Sequence, residues 1–205
     1  MKRALLSLAL ATVGTAGIAN ALVAFTTFLP GDVYQTNIGY TIGGPTGPSP
    51  QIITMQFTSG LTGVLDSVRI ATFYGSGNTS LTLTLLNDNG SDQMGGAITS
   101  WNFSDNNSAA HITTHVNGNG SISLASGTKY WLKLNTLTNG NHAWNQADPT
   151  VPRGRFGFSG NDGASYSYFD NQVMSAFEVN VVPEPATFAA LGLGALALLR
   201  RRKKS

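Results

Sequence analysis

Residues 80–88 read "SLTLTLLND". In an extended chain Leu81, Leu83 and Leu85 point one way, while Thr82 and Thr84 point the other. That is the period of two of a half-buried strand, and β-branched threonine suits the pleated surface. The same alternation recurs along the chain. In "KYWLKLN" (129–135) Tyr130, Leu132 and Leu134 share a face opposite Trp131 and Lys133. In "DSVRIATFY" (66–74) Val68 and Ile70 pair with Arg69 turned outward; "GRFGFSG" (154–160) alternates Phe156 and Phe158; "SAFEVNVV" (175–182) aligns Phe177, Val179 and Val181.

Turn signals separate these runs: Gly75-Ser76-Gly77-Asn78, Asp88-Asn89-Gly90, Gly118-Asn119-Gly120 and Asn139-Gly140-Asn141. Asn and Gly tolerate the positive φ of tight turns. The stretch "GGPTGPSP" (43–50) reads as a loop inside one domain. Charged residues make up only 11% of the chain, against about 25% in ordinary soluble domains. Polarity comes from Ser, Thr, Asn and Gly, and no charged amphipathic helix of ordinary length is visible. The expectation is an all-β, two-sheet antiparallel β-sandwich of jelly-roll-like type over residues 22–182. Cysteine is absent, so core burial, with no disulfide framework or thiolate metal site, must hold the fold.

The two ends differ in kind from this body. Met1-Lys2-Arg3 is basic, Ala4 to Ile18 is uncharged and largely apolar, and Ala19-Asn20-Ala21 puts small residues where a signal peptidase inspects them. This is the layout of a secretory signal peptide over residues 1–21, with a signal helix, the Sec translocon and signal peptidase as partners, and Leu22 as the first mature residue. Residues 183–205 begin Pro183-Glu184-Pro185, continue in an apolar run to Leu199, and end in Arg200, Arg201, Arg202, Lys203 and Lys204. The 14 residues from Ala186 to Leu199 reach about 21 Å as a helix, short of a hydrocarbon core of roughly 30 Å. Basic residues stay on the cytoplasmic side, so a short C-terminal membrane helix here would tether an exported body to the inner membrane.

Pro-Glu-Pro, a short Ala/Leu/Gly-rich segment and a terminal basic cluster together resemble the PEP-CTERM sorting signal of exported Gram-negative bacterial proteins. The resemblance implies recognition by an exosortase, a membrane-embedded cysteine transpeptidase-like enzyme that cuts near Pro-Glu-Pro. It also implies release to the cell surface or an exopolysaccharide matrix. An ordinary tail anchor that stays in the membrane is the alternative. The body resembles the choice-of-anchor R domain over about residues 50–180, in the order "MQFTSG" (55–60), "LDSVRIATF" (65–73), "LTLTLLNDNGSD" (81–92), "ISLASGTKYWLKL" (122–134) and "HAWNQAD" (142–148). No biochemical activity comes with that resemblance.

Charge distribution excludes a nucleic-acid partner. The whole chain carries +2, but residues 22–182 hold five basic and nine acidic side chains, so its basicity belongs to the two ends, and phosphate backbones need the opposite. No catalytic residue, cofactor or metal is expected. Asp148, Asp162 and Asp170 stand where aspartate serves as a turn residue, and Glu178 lies on a strand's solvent side. There is neither a Gly-x-Ser-x-Gly elbow nor a cysteine nucleophile. His111 and His115 in "HITTHV" sit about 13 Å apart on an extended chain, and no further ligands at useful spacing accompany them or His142. "NDNGSD" (87–92) has part of a calcium loop's pattern without its closing Glu, and a hairpin turn explains it. One binding hypothesis survives. Trp101, Tyr166, Tyr168 and Phe169 could form a sugar-stacking strip for extracellular polysaccharide, with Trp131 and Trp144 kept for the core or inter-sheet packing.

Overall fold

The computed structural model describes residues 20–47, 49–117 and 121–183, and Ala21–Glu184 forms one compact unit. Thirteen strands follow in chain order: β1 Leu22–Thr26, β2 Gly39–Gly43, β3 Ile52–Thr58, β4 Gly63–Ser76, β5 Ser80–Asp88, β6 Met94–Ser104, β7 His111–Val116, β8 Ser123–Leu124, β9 Lys129–Thr136, β10 Asn141–Asn145, β11 Gly154–Ser159, β12 Ser167–Gln172 and β13 Phe177–Val182. No helix occurs among the described residues. The expected signal helix and C-terminal membrane helix, and the Gly118–Gly120 turn, lie outside them.

Two antiparallel sheets make a sandwich. A six-stranded sheet runs β12-β11-β3-β9-β5-β6, and a seven-stranded one runs β1-β13-β4-β10-β2, with β7 and β8 also on β4. Most neighbours are distant in sequence, because the chain crosses between sheets repeatedly. The alternation of the "SLTLTLLND" stretch is realised in the ladder itself. One register row of the six-stranded sheet crosses Phe158, Ile53, Leu134, Leu83 and Trp101. The next crosses Phe156, Met55, Leu132 and Leu85. These meet Leu65, Val68, Ile70, Trp144, Phe177, Val179 and Val181 from the other sheet in a single core. At about 25 cal/mol per Å² of apolar surface, this shared interior is the main favourable contribution to folding.

The outer face of the seven-stranded sheet is partly covered as well. Phe28 packs with Ala71 and Ala176, and Ile112 and Tyr34 lie against them. Arg69, which does face out, donates to Asp32 at 2.6 Å and Glu178 at 3.0 Å and stands 5.5 Å from the Phe28 ring. Glu178 is therefore on the outer side as expected, but its side chain is only 13% exposed and committed to Arg69.

The sandwich closes along one side where β6 meets β7. The His115 ring lies 4.3 Å from Phe103, and Trp101 Nε1 donates to the Val116 carbonyl at 3.2 Å. Burial holds His115 neutral, lowering its pKa from 6.5 to about 4. The unfolded chain takes up this proton near pH 6.5 and the folded chain refuses it until about pH 4. Stability is thus full above that window and falls as pH drops through it, by roughly 2–3 kcal/mol. Denaturant unfolding at about pH 7 and pH 4.5 checks this, since His115→Leu should lose less stability between the two than the parent chain does.

Candidate functional site

Two regions compete as the functional site: the corner where β1 pairs with the end of β13, and the outer face of the six-stranded sheet. At the corner β1 pairs antiparallel with β13, Leu22 opposite Val181. The first residue of the expected mature chain and the last residues before Pro-Glu-Pro are therefore ladder neighbours. Asn20 and Ala21 are exposed, and Leu22 is 43% exposed. Pro183 is buried. Gly63 makes that possible, because a Cβ there would stand 2.6 Å from the Val182 carbonyl oxygen and 3.1 Å from Pro183 Cα. Ala19, Glu184, Pro185 and the basic cluster Arg200 to Lys204 lie outside the described residues.

On the outer face, "DNGSDQM" (88–94) folds back over the sheet. Trp131, expected in the core, is buried on the opposite side instead, beneath this hairpin: its face is the one shared by Gln56, Trp131 and Leu86 across β3, β9 and β5. Its Nε1 donates to Asp88 Oδ2 at 2.9 Å, and Gln56 Nε2 donates to the same oxygen at 2.9 Å and to Asp92 Oδ1 at 3.1 Å. Lys129 pairs with Asp92, and Arg155 Nε donates to the Asp92 carbonyl at 2.7 Å. Burial alone would raise the Asp88 carboxyl. Hydrogen bonds from Trp131, the Gly90 N–H, Gln56 and the Asp92 backbone outweigh it and hold the group below the usual carboxylate value. Both aspartates of the calcium-like stretch are thus occupied by protein donors. The loop works as a clip on the sheet, as its hairpin reading requires.

Tyr166 and Tyr168 stand side by side, ring centroids 6.4 Å apart and planes 27° from parallel. Neither is fully exposed. Tyr168 meets Trp131 edge-on at 5.3 Å, lies 5.5 Å from the Arg155 guanidinium, and accepts the Met94 N–H at 3.3 Å. Its ring occupies the space above Gly157, where a Cβ would strike Thr54 Oγ1 and fall 3.0 Å from the tyrosine ring. Trp101 is a correction to the sequence reading. It sits on β6, at the sheet edge opposite β12, and its register with Leu83 turns it to the inner face against the core. It cannot join a strip with the tyrosines. Phe169 is 46% exposed. Trp144 is in the core as expected, its Nε1 donating to the Ala176 carbonyl at 3.1 Å.

The four carboxylates weighed from the sequence lie in turns or beside cations among the described residues. Asp148 accepts from Thr150, whose N–H and hydroxyl lower its pKa, and Asp162 adopts φ 56° in a turn. Asp170, expected in a loop, lies in β12 and pairs with Arg155 at 2.5 Å. The histidines separate into two environments: His115 at the β6–β7 seam, and His111 with His142 beside buried Asp105. Sequence reasoning counted Asp105 only as a charge. Its two neighbours are remote in the chain and on other strands, so no local spacing announces the cluster.

Residues 181–203 match the PEP-CTERM protein-sorting motif. The match begins in the last two residues of β13 and continues through the apolar run into the basic cluster. That motif implies export and sorting at a membrane. No curated protein matches the chain.

The clip and the tyrosine cover are separable by mutation. Asp88→Ala strands the Trp131 and Gln56 donors and should cost about 1–3 kcal/mol in denaturant unfolding. Gly157→Ala should displace Tyr168 and wet Trp131, read as a red-shifted tryptophan emission with a smaller loss of stability.

Proposed function

We propose that this chain is a non-enzymatic exported protein of the cell surface or extracellular matrix, sorted by an exosortase-type enzyme through residues 183–205. The observation that carries the reading is the sorting-motif match at residues 181–203, directly abutting the final strand of a β-sandwich. The N-terminal charge, apolar run and Ala19-Asn20-Ala21 supply the complementary export signal, with cleavage between Ala21 and Leu22. The body then acts as cargo of the choice-of-anchor R kind. Asp148 and Asp162 serve turns while Asp170 and Glu178 pair with arginines, which supports a role without catalysis.

A second reading places polysaccharide binding on the outer face of the six-stranded sheet. The paired tyrosines support it, both rings being partly exposed on this face. Aromatic faces with polar tips suit pyranose rings. Titration calorimetry against bacterial exopolysaccharides separates the readings: heat abolished by Tyr166→Ala supports binding, and flat traces leave cargo alone.

The sorting reading is tested by intact mass of the protein recovered from the host's culture medium. Loss of residues 1–21 and of the tail beyond about Pro185 is the expected result. The double variant Glu184→Ala, Pro185→Ala leaves buried Pro183 untouched and should strand the protein in the membrane fraction with its tail intact. Tail retention in the parent chain points to a plain anchor instead.

A further inference from the structure

Residues 22–182 hold five basic side chains against nine acidic ones, so a cation there has no shortage of carboxylates to pair with. Three of the five are matched: Arg69 with Asp32 and Glu178, Lys129 with Asp92, and Arg155 with Asp170. Arg153 is exposed and donates to the Asn171 carbonyl at 3.2 Å. Lys133 differs from all four. It is half-buried in the middle of β9, and among the described residues it has no ion pair. Burial pulls its ammonium below the ordinary lysine value, with no opposite charge to restore it. A cation partly withdrawn from water and left without a counter-charge is a cost the fold itself does not offset.

Register puts Lys133 on the outer face of the six-stranded sheet, opposite Thr54 of β3 and Thr84 of β5, both buried and uncharged. Two residues back along β9, on the same face, is Trp131, whose ring meets Tyr168 edge-on at 5.3 Å. The Tyr168 ring in turn fills the space above Gly157, which is the ladder partner of Thr54. From Gly157 to Lys133 is therefore two strand spacings, about 10 Å. Tyr166 lies beside Tyr168, and both rings are partly exposed. The carboxylates nearest this face are already held: Asp88 by Trp131 and Gln56, Asp92 by Lys129, Asp170 by Arg155. An aromatic pair and a cation without a counter-charge thus share one face, within the span of a short oligosaccharide.

We propose that Lys133, with Tyr166 and Tyr168, forms a subsite for an acidic polysaccharide, a uronate carboxylate meeting Lys133 Nζ while a neighbouring sugar ring lies against the tyrosines. This rests on the polysaccharide reading above and narrows it from sugars in general to chains that carry carboxylates. A carboxylate at Nζ makes the charge-assisted hydrogen bond that no side chain of the fold makes, and it favours the charged form that burial disfavours. A neutral chain gains the stacking alone. Lys133 is then the residue that sets specificity, and the tyrosines supply contact area that any pyranose can use.

The test titrates the full chain, in non-ionic detergent at low salt, with polygalacturonate and with its fully methyl-esterified, uncharged form. The basic ends of the chain attract any polyanion, so variants that share those ends decide. Lys133→Met keeps the stem and removes the charge, and it should weaken polygalacturonate binding by about 10-fold. It should leave affinity for the methyl ester unchanged. Lys133→Arg should bind polygalacturonate within about twofold of the parent, since it keeps the charge. Tyr166→Ala should weaken both polymers. Polygalacturonate binding by Lys133→Met equal to the parent's overturns the proposal. The polysaccharide reading outlives that result if Tyr166→Ala still weakens binding, and falls with it if neither substitution changes binding to either polymer. Should Lys133→Met fail to fold, acetylation of the parent decides, read by mass spectrometry. Saturating polygalacturonate must shield Lys133 more than Lys129, and equal shielding overturns the proposal.

Discussion

Strand β4 is the element on which the seven-stranded sheet depends. It bonds to four strands: β13 along Val64 to Ile70 and β10 along Thr72 to Ser76 on one side, with β8 at Gly63 and Val64 and β7 along Ser67 to Thr72 on the other. A 14-residue strand with that many partners concentrates long-range pairing in one segment. Its inner side chains Leu65, Val68 and Ile70 enter the common core, while Ala71 and Arg69 on the outer side receive Phe28 and the Asp32–Glu178 pair. Without disulfides, the chain makes cross-links of this kind by packing, and it spends few charges on them.

The six-stranded sheet solves a different problem. Its inner rows are nearly all apolar, but its outer face carries a tryptophan too large and too apolar to leave in water. The 88–94 hairpin covers that ring and at the same time answers its one polar atom with Asp88. The cover is polar on its own outer side, so burial of Trp131 does not create an exposed greasy patch. Arg155 joins the two ends of this arrangement by bonding the Asp92 carbonyl and the Asp170 carboxylate.

What the sequence makes legible follows from locality. Leu81, Leu83 and Leu85, or Phe177, Val179 and Val181, declare their buried side because period-2 alternation is a property of a few consecutive residues. Turns at Gly75–Asn78 and Asp88–Gly90 are legible for the same reason. Trp131 illustrates the limit: alternation places it opposite Leu132, correctly, but not that a hairpin from β5 and β6 will fold over it. Trp101 fails by the same cause, since its side of the sheet is set by its register with Leu83. The Asp105–His111–His142 cluster is less legible still, joining the ends or starts of three strands that only the finished sandwich brings together.

The pairing of β1 with β13 also fixes where the described body ends. Val181 and Val182 are ladder partners of Leu65 and Val64, and Val181 also pairs with Leu22. A cut before Val182 would remove strand β13's last rung on β4, and one before Val181 would also take the Leu22 rung of β1. A cut beyond Pro183 leaves every rung in place and keeps the proline seated beside Gly63. Every described rung of β13 thus lies on the N-terminal side of Pro183. Because β1 starts where β13 ends, Leu22 lies at the same corner. Both ends of the described chain therefore leave from one edge of one sheet, and the tyrosine-bearing face belongs to the other sheet.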